Sequence, residues 1–270
     1  MPHAAANRQR LHYLRRGSGE PLLLVQGLSG NHLHWGEPFL SELAPGFETI
    51  AYDHRGIGLS DPSPPGYTIA DLADDAAGLL DALGLASVHV LGVSMGGMVA
   101  QELALRAPQR VRTLSLGATY AGGEGSVRTD PAVVQRLGQL FMAGRMGEAM
   151  RELIRYNVSA RFAANPANLE PFKRIAAELP ASLDVLMAQF QAVGGHDTSR
   201  RLEQIQAPTL VVHGSEDRIL PVANAHAIAA LIPQARLEIL EGVGHLFWWE
   251  RRQRSAQLVR ELAQGAAARQ

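Results

Sequence analysis

The sequence predicts an α/β protein: a mostly parallel sheet flanked by helices, with a helical cap inserted between two of its strands. Three observations predict it. Short apolar runs alternate with amphipathic stretches of helical length along most of the chain, and such alternation implies parallel strands joined by crossover helices. A glycine-rich turn, Gly92-Val93-Ser94-Met95-Gly96-Gly97, joins one apolar run directly to one helix. Between about residues 120 and 202 the strand pattern stops and only helical patterns remain.

Taken in order, residues 22–25 form the first clearly buried strand, ending at Gln26-Gly27. Residues 48–52 form the next and lead into the turn-rich Asp53-His54-Arg55-Gly56-Ile57-Gly58. Leu72, Ala76, Leu79, Leu80 and Leu83 recur at helical spacing, which predicts a helix over 70–83, stopped by Gly84. A strand over 88–93, a helix over 95–106 ended by Pro108, and a strand over 111–116 follow. Two later strands, 209–213 and 236–240, are separated by a helix over 222–231, and an amphipathic helix over 250–264 comes last. The expected division is a core of residues 1–119 and 203–270, with residues 120–202 as the cap. That segment carries Phe141, Met142, Met146, Met150, Phe162, Phe172, Met187 and Phe190, most of which should form its own small core.

Composition removes several function classes. A chain of 270 residues buries roughly three quarters of its unfolded surface, so it needs no disulfide or structural metal. A net charge of −1 argues against a nucleic-acid partner. The single lysine, Lys173, lies between Phe172 and Arg174, which fits neither a P-loop nor a kinase strand. With no cysteine there is no disulfide, thiolate metal site or cysteine nucleophile, and a reducing cytoplasm is the expected location. The first ten residues lack the apolar stretch of a signal peptide, and no run approaches the ~18 apolar residues of a membrane span. No metal and no cofactor are expected.

The chemistry centres on Ser94. Gly92-Val93-Ser94-Met95-Gly96 matches G-x-S-x-G in the strand–turn–helix context that the motif requires. The glycines two residues either side remove side chains that would collide with the neighbouring strand and helix. The helix that follows directs its positive N-terminal end towards developing negative charge. A dinucleotide-binding loop fails on spacing, because Gly92, Gly96 and Gly97 do not make G-x-G-x-x-G; Gly56-Ile57-Gly58 comes closer but lacks the third glycine.

A serine hydroxyl needs a base, and the base needs an acid to orient it. Ligands in open α/β sheets sit beyond the C-terminal ends of the strands. That rule sets His89, inside a strand, apart as structural, and leaves His245, His54, His32 and His34 open, with His213 at a strand end.

The chain resembles the α/β-hydrolase family over nearly all of residues 20–262. The resemblance rests on Gln26-Gly27-Leu28, the segment from Asp53 to Ser60, the elbow around Ser94, the segment from His213 to Pro221, and Gly244-His245. It implies Asp217 as the acid and His245 as the base, with Glu216 as the rival carboxylate and Asp53 as a structural brace. It implies an oxyanion hole from the backbone N–H groups of Leu28 and Met95, although Gln26-Gly27 stands where the family usually has His-Gly. A serine at the elbow argues against the haloalkane dehalogenases and epoxide hydrolases of the family, which carry aspartate there.

The expected reaction is hydrolysis of a carboxylic ester of a small or medium-sized apolar substrate through an acyl-enzyme. Trp35, Phe141, Met142 and Leu246 are the candidate substrate contacts. The alternatives are an enol-lactonase or a carbon–carbon hydrolase, to which Arg145, Arg151 and Arg155 could offer a carboxylate site, a perhydrolase or haloperoxidase, and a receptor that retains the triad. The expected partner is a small-molecule ester or lactone.

Overall fold

The computed structural model describes residues 2–268, the side chains of Phe141 and Met146 apart. Eight strands form one sheet: β1 (His3–Ala6), β2 (Gln9–Arg16), β3 (Glu20–Val25), β4 (Phe47–Tyr52), β5 (Val88–Val93), β6 (Val111–Gly117), β7 (Thr209–Gly214) and β8 (Arg236–Leu240). Their spatial order is β1-β2-β4-β3-β5-β6-β7-β8. β1 and β2 are antiparallel to each other, and β2 to β4; every later pairing is parallel. The register pairs Val25 with Gly92, Val93 with Gly117 and Gly214 with Leu240. The chain therefore leaves β3, β5, β6, β7 and β8 at one common edge.

The expected strands are present within a residue or two, but the N-terminal hairpin was not foreseen. β1 reads His-Ala-Ala-Ala, without a β-branched residue, and β2 is mostly polar. What makes the hairpin is its turn. Asn7 and Arg8 have φ of 45° and 64°, the left-handed pair of a two-residue turn whose twist matches that of the strands it joins.

Helices cover both faces. α1 (Glu37–Leu43), α2 (Ile69–Ala82) and α3 (Met95–Arg106) come first. α2 starts on a capping box in which Thr68 and Asp71 satisfy each other's backbone N–H. Strand periodicity sorts the core: Leu23, Val25 and Val90 pack with Leu79 and Val99, while Leu22, Leu24 and Leu91 pack on the opposite face with Phe39 and Leu258. Between β6 and β7 lie α4 (Pro131–Met142), α5 (Met146–Tyr156), α6 (Ala160–Ala163), α7 (Glu170–Glu178) and α8 (Leu183–Gly194), with no strand among the described residues. α9 (Ala223–Leu231) separates β7 from β8. The final helix is broken in two, α10 (Phe247–Glu250) and α11 (Arg252–Ala267), because Arg251 leaves helical geometry at φ −130° and ψ 48°. No helix among the described residues is long and apolar enough to cross a membrane.

Burial lowers the imidazoles of His12, His34, His54, His89 and His196. Burial pushes both His34 and His196 down to about 4, whereas an unfolded imidazole titrates near 6.5. The unfolded chain thus binds protons that the native chain refuses as pH falls from about 6.5 to 4. Stability should decline through that window, on the order of a few kcal/mol in total, and be regained above it. Thermal melts from pH 4.5 to 7.5 check this, and His196→Leu should show a shallower dependence; a slope unchanged in that variant would contradict the assignment.

Candidate active site

Ser94 follows β5 at φ 54° and ψ −124°, a left-handed conformation that is costly for a side chain other than glycine's. Its neighbours hold it there. Its N–H donates to Gly117 O at 2.9 Å, and its carbonyl accepts Thr119 Oγ1–H at 2.7 Å. Glycine is required on both sides: a Cβ on Gly96 would lie 2.1 Å from Val25 O, and one on Gly92 would lie 2.2 Å from Gly96 O. Ser94 is partly exposed and stands at the N-cap of the twelve-residue α3. Its hydroxyl makes no hydrogen bond to another described residue.

The loop after β3 passes close by. A Cβ on Gly27 would meet Ser94 Cβ at 3.0 Å and Oγ at 3.5 Å, so any larger residue here would press on the serine unless one of them gave by a few tenths of an ångström. Neither Leu28 N–H, in this loop, nor Met95 N–H, the first of α3, donates to another protein group among the described residues. The amide after Gly27 and the amide after Ser94 are thereby both left without a protein partner among the described residues. Gln26, where the family usually has histidine, accepts Gly27 N–H on Oε1 at 3.0 Å, and His54 Nε2–H donates to Gln26 O at 3.0 Å. Both bonds steady the start of the loop.

Asp217 lies in the loop after β7 and His245 in the loop after β8. Asp217 is the carboxylate that meets the imidazole: His245 Nδ1 lies 2.7 Å from Asp217 Oδ2, and both groups are buried. Glu216, the rival carboxylate, is exposed. Oδ1 of Asp217 accepts the N–H groups of Ile219 and Leu220 at 2.8 and 2.9 Å. Burial alone would raise this carboxyl, but His245 and His213 outweigh it and hold Asp217 well below the usual carboxylate range. An ionised carboxylate only accepts, so His245 Nδ1 carries a proton, and in the neutral imidazole Nε2 is then the accepting nitrogen.

His213 is the neighbour that spacing did not reveal. Its Nε2 lies 3.0 Å from Asp217 Oδ2 and 2.7 Å from Leu220 O. Both are acceptors, so this nitrogen carries the hydrogen, while Nδ1 is buried without a partner. The signal was present in β7, whose six residues are all buried. A histidine in such a strand must find a partner within the fold.

Further contacts bind these loops to one another. Trp248 and Trp249 both donate their indole N–H to His34 O, at 3.2 and 3.0 Å, tying the segment after His245 to the loop after β3. Leu246 N–H donates to Asn157 O at 2.8 Å, just after α5, and its side chain belongs to the same buried cluster as Val158. Trp35 has no accessible surface and stacks on Phe39 with ring centres 6.0 Å apart. It is a core residue, which corrects the expectation that it touches substrate. Met142 is 90% exposed and projects into solvent at the end of α4, a second correction. The side chain of Phe141 lies outside the described residues. Arg145, Arg151 and Arg155 are exposed, and Arg145 pairs with Glu148.

His12, His32 and Asp53 are the described residues whose ligand atoms come close enough to hold a metal ion. The carboxylate is already satisfied within the protein. Oδ1 accepts His32 N–H and lies 2.9 Å from His32 Nδ1, and Oδ2 accepts Leu59 N–H and lies 3.1 Å from His12 Nδ1. With two N–H donors on each oxygen, Asp53 knits β2 and the loops after β3 and β4 together.

The chain as a whole has counterparts among known proteins. A carbamate hydrolase by name, RutD of Azorhizobium caulinodans, is 31% identical over 248 residues, covering 92% of each chain. Among solved structures, Est816, described as an N-acyl homoserine lactone degrading enzyme, superposes with a TM-score of 0.80 at 33% identity over 96% of this chain and 99% of that one. A thermophilic esterase from Thermogutta terrifontis gives 0.81 at 28% identity, over 98% of both chains. The profile of the alpha/beta hydrolase fold matches residues 20–251. The chain is a hydrolase that belongs to the alpha/beta hydrolase family.

Proposed function

We propose that the protein is a serine hydrolase that cleaves a carboxylic ester of a small or medium-sized apolar substrate through an acyl-enzyme. The observation that carries this is the 2.7 Å contact between His245 Nδ1 and Asp217 Oδ2, at the same sheet edge as the strained serine of the elbow. Ser94 Oγ adds to the acyl carbon while its proton passes to His245 Nε2, the nitrogen with the free lone pair. Asp217 stabilises the imidazolium that forms. The carbonyl oxygen, now an oxyanion, takes the N–H groups of Leu28 and Met95, each such donor being worth about 10²–10³ in rate. The tetrahedral adduct expels the alcohol, which takes the proton from His245. Water then adds to the acyl-enzyme by the same route and releases the acid and Ser94.

Residues 120–202 act in this proposal as a cap over the site. The exposure of Arg145, Arg151 and Arg155 removes the argument those residues offered for an anionic substrate and a carbon–carbon cleavage. A lactone is the favoured second reading. It is a cyclic ester, the chemistry is identical with the alcohol tethered, and the 33% identical Est816 degrades one by its name.

An organophosphate should add one phosphoryl group, found by mass on the peptide containing Ser94, with turnover of short-chain nitrophenyl esters lost in step. A panel of acyl chain lengths and lactones then ranks the substrates. Labelling at another residue, or full turnover in the labelled protein, would refute the proposal.

A further inference from the structure

The loop after β3 carries the Leu28 amide, yet its shape is not self-supporting. Ser29 follows Leu28 at φ 62°, in the left-handed region where a side chain other than glycine's is strained. Its N–H donates to Gln189 Oε1 at 2.7 Å, across 160 residues of sequence. Gln189 sits in α8, fully buried, between Ala188, 5% exposed, and Phe190, 57% exposed. It therefore occupies the inward face of a helix whose outward positions Leu183, Met187 and Phe190 are exposed.

Burying an amide side chain is costly unless it is hydrogen-bonded, and this one is bonded on one side only. Its Oε1 faces the Ser29 N–H, and its Nε2 is buried without a partner. The side chain is thus placed for its acceptor. Fixing Ser29 N–H fixes the peptide plane that follows Leu28, and the Leu28 N–H, one α-carbon away on the preceding plane, is restrained through the two dihedrals between them. Two further contacts from the helical segment reach the same loop. Asn31 Nδ2–H donates to Leu179 O at 3.1 Å, and the Phe172 ring meets His34 edge-on at 5.5 Å.

We infer that Gln189 is a positioning residue that assembles the oxyanion hole: α8 holds the loop after β3 in its strained form through Ser29, so docking of the helical segment acts on turnover and not only on substrate entry. The inference rests on the proposed role of the Leu28 amide. It goes beyond that role by making the donor conditional on a residue 161 positions away in another part of the fold.

Two variants of the full-length chain test it. Gln189→Met keeps the length and apolar stem and removes the acceptor; Gln189→Glu keeps an accepting oxygen. With a short-chain nitrophenyl ester, Gln189→Met should lower kcat on the order of 10–10²-fold, the scale of a donor misplaced by about an ångström, with KM changed less than about twofold. Affinity for a boronic acid, which presents a tetrahedral oxyanion, should fall by the same factor. Amide hydrogen exchange over residues 27–31 reads the loop independently of any substrate. It should accelerate in Gln189→Met and return to the wild-type rate in Gln189→Glu, whose charge opposes the oxyanion and is not expected to restore kcat. Unchanged exchange and unchanged kcat in Gln189→Met would overturn the inference. So would equal losses in kcat, boronate affinity and melting temperature without recovery of exchange in Gln189→Glu, which is what a merely structural role produces. Failure of the hydrolase assignment itself would show separately, as wild-type turnover that survives in Ser94→Ala while the exchange pattern stands.

Discussion

Ser94→Ala is expected to abolish ester turnover, with kcat lowered on the order of 10⁶-fold, while the melting temperature stays within a few degrees of wild type. The size of the loss follows from the unit nature of such groups. Once the nucleophile is gone the imidazole has nothing to activate, and only the oxyanion donors and binding remain, which elsewhere leave 10³–10⁴ over the reaction in water. The stability expectation follows from this fold. The Ser94 hydroxyl has no hydrogen-bond partner among the described residues, so its removal breaks no native contact. The left-handed φ of 54° strains alanine as it strains serine, so the backbone term cancels. Steady-state turnover with a nitrophenyl ester and a thermal melt on the same preparation check both halves. Turnover within tenfold of wild type would remove Ser94 from the chemistry; a collapsed melt would mean the elbow depends on the hydroxyl after all.

Asp217→Asn is expected to cost about 10⁴ in kcat, the scale seen when an orienting carboxylate becomes an amide and the imidazole takes the wrong tautomer. Here the local hydrogen bonding adds a stability penalty. Oδ1 accepts two backbone N–H groups, and Oδ2 faces N–H groups of both His245 and His213. An amide has only one accepting oxygen, so whichever way it turns its NH₂ faces donors. Leaving buried donors unpaired costs about 1–3 kcal/mol, and the melt should fall by several degrees. Because Asp217 is held below the ordinary carboxylate range, the contribution of its charge to stability is fully present above about pH 4, the unfolded value, and is lost only as pH falls through the lower folded value. The stability gap between wild type and Asp217→Asn should therefore be flat from pH 5 to 8 and narrow only in strong acid. A gap that already closes well above pH 5 would contradict the carboxylate as its origin. Wild-type turnover in Asp217→Asn would return the role to another carboxylate, with Glu216 the first to test.

Much of this was legible in the residues. The helix over 95–106 and the strands over 88–93 and 236–240 stand where the sequence pattern puts them; the strand over 88–93 is plainest, because burial on both faces of a parallel sheet leaves an apolar run. The elbow was legible because its glycine pattern spans only five residues, although the clash that requires Gly96 is with Val25 O of another strand. The N-terminal hairpin was not, since a left-handed Asn7-Arg8 turn overrides alanine-rich strand chemistry. Trp35 and Met142 misled for a common reason. An apolar side chain in sequence shows that it avoids water on average, not whether it faces a pocket, a core or, as Met142 does, solvent.

By itself, then, the sequence determined the alternating architecture, the strained serine at the head of a helix, and a short list of histidines at strand ends. The family resemblance named Asp217 and His245 as partners, but only the tertiary structure decided that His213 shares Asp217 with His245 and that Gln189 reaches Ser29. The physical reason is one of range. Periodicity and the glycine spacing of the elbow are written into a few neighbouring residues, whereas a hydrogen bond between groups 28 or 160 residues apart exists only once sheet order and loop paths have brought both ends to the same edge.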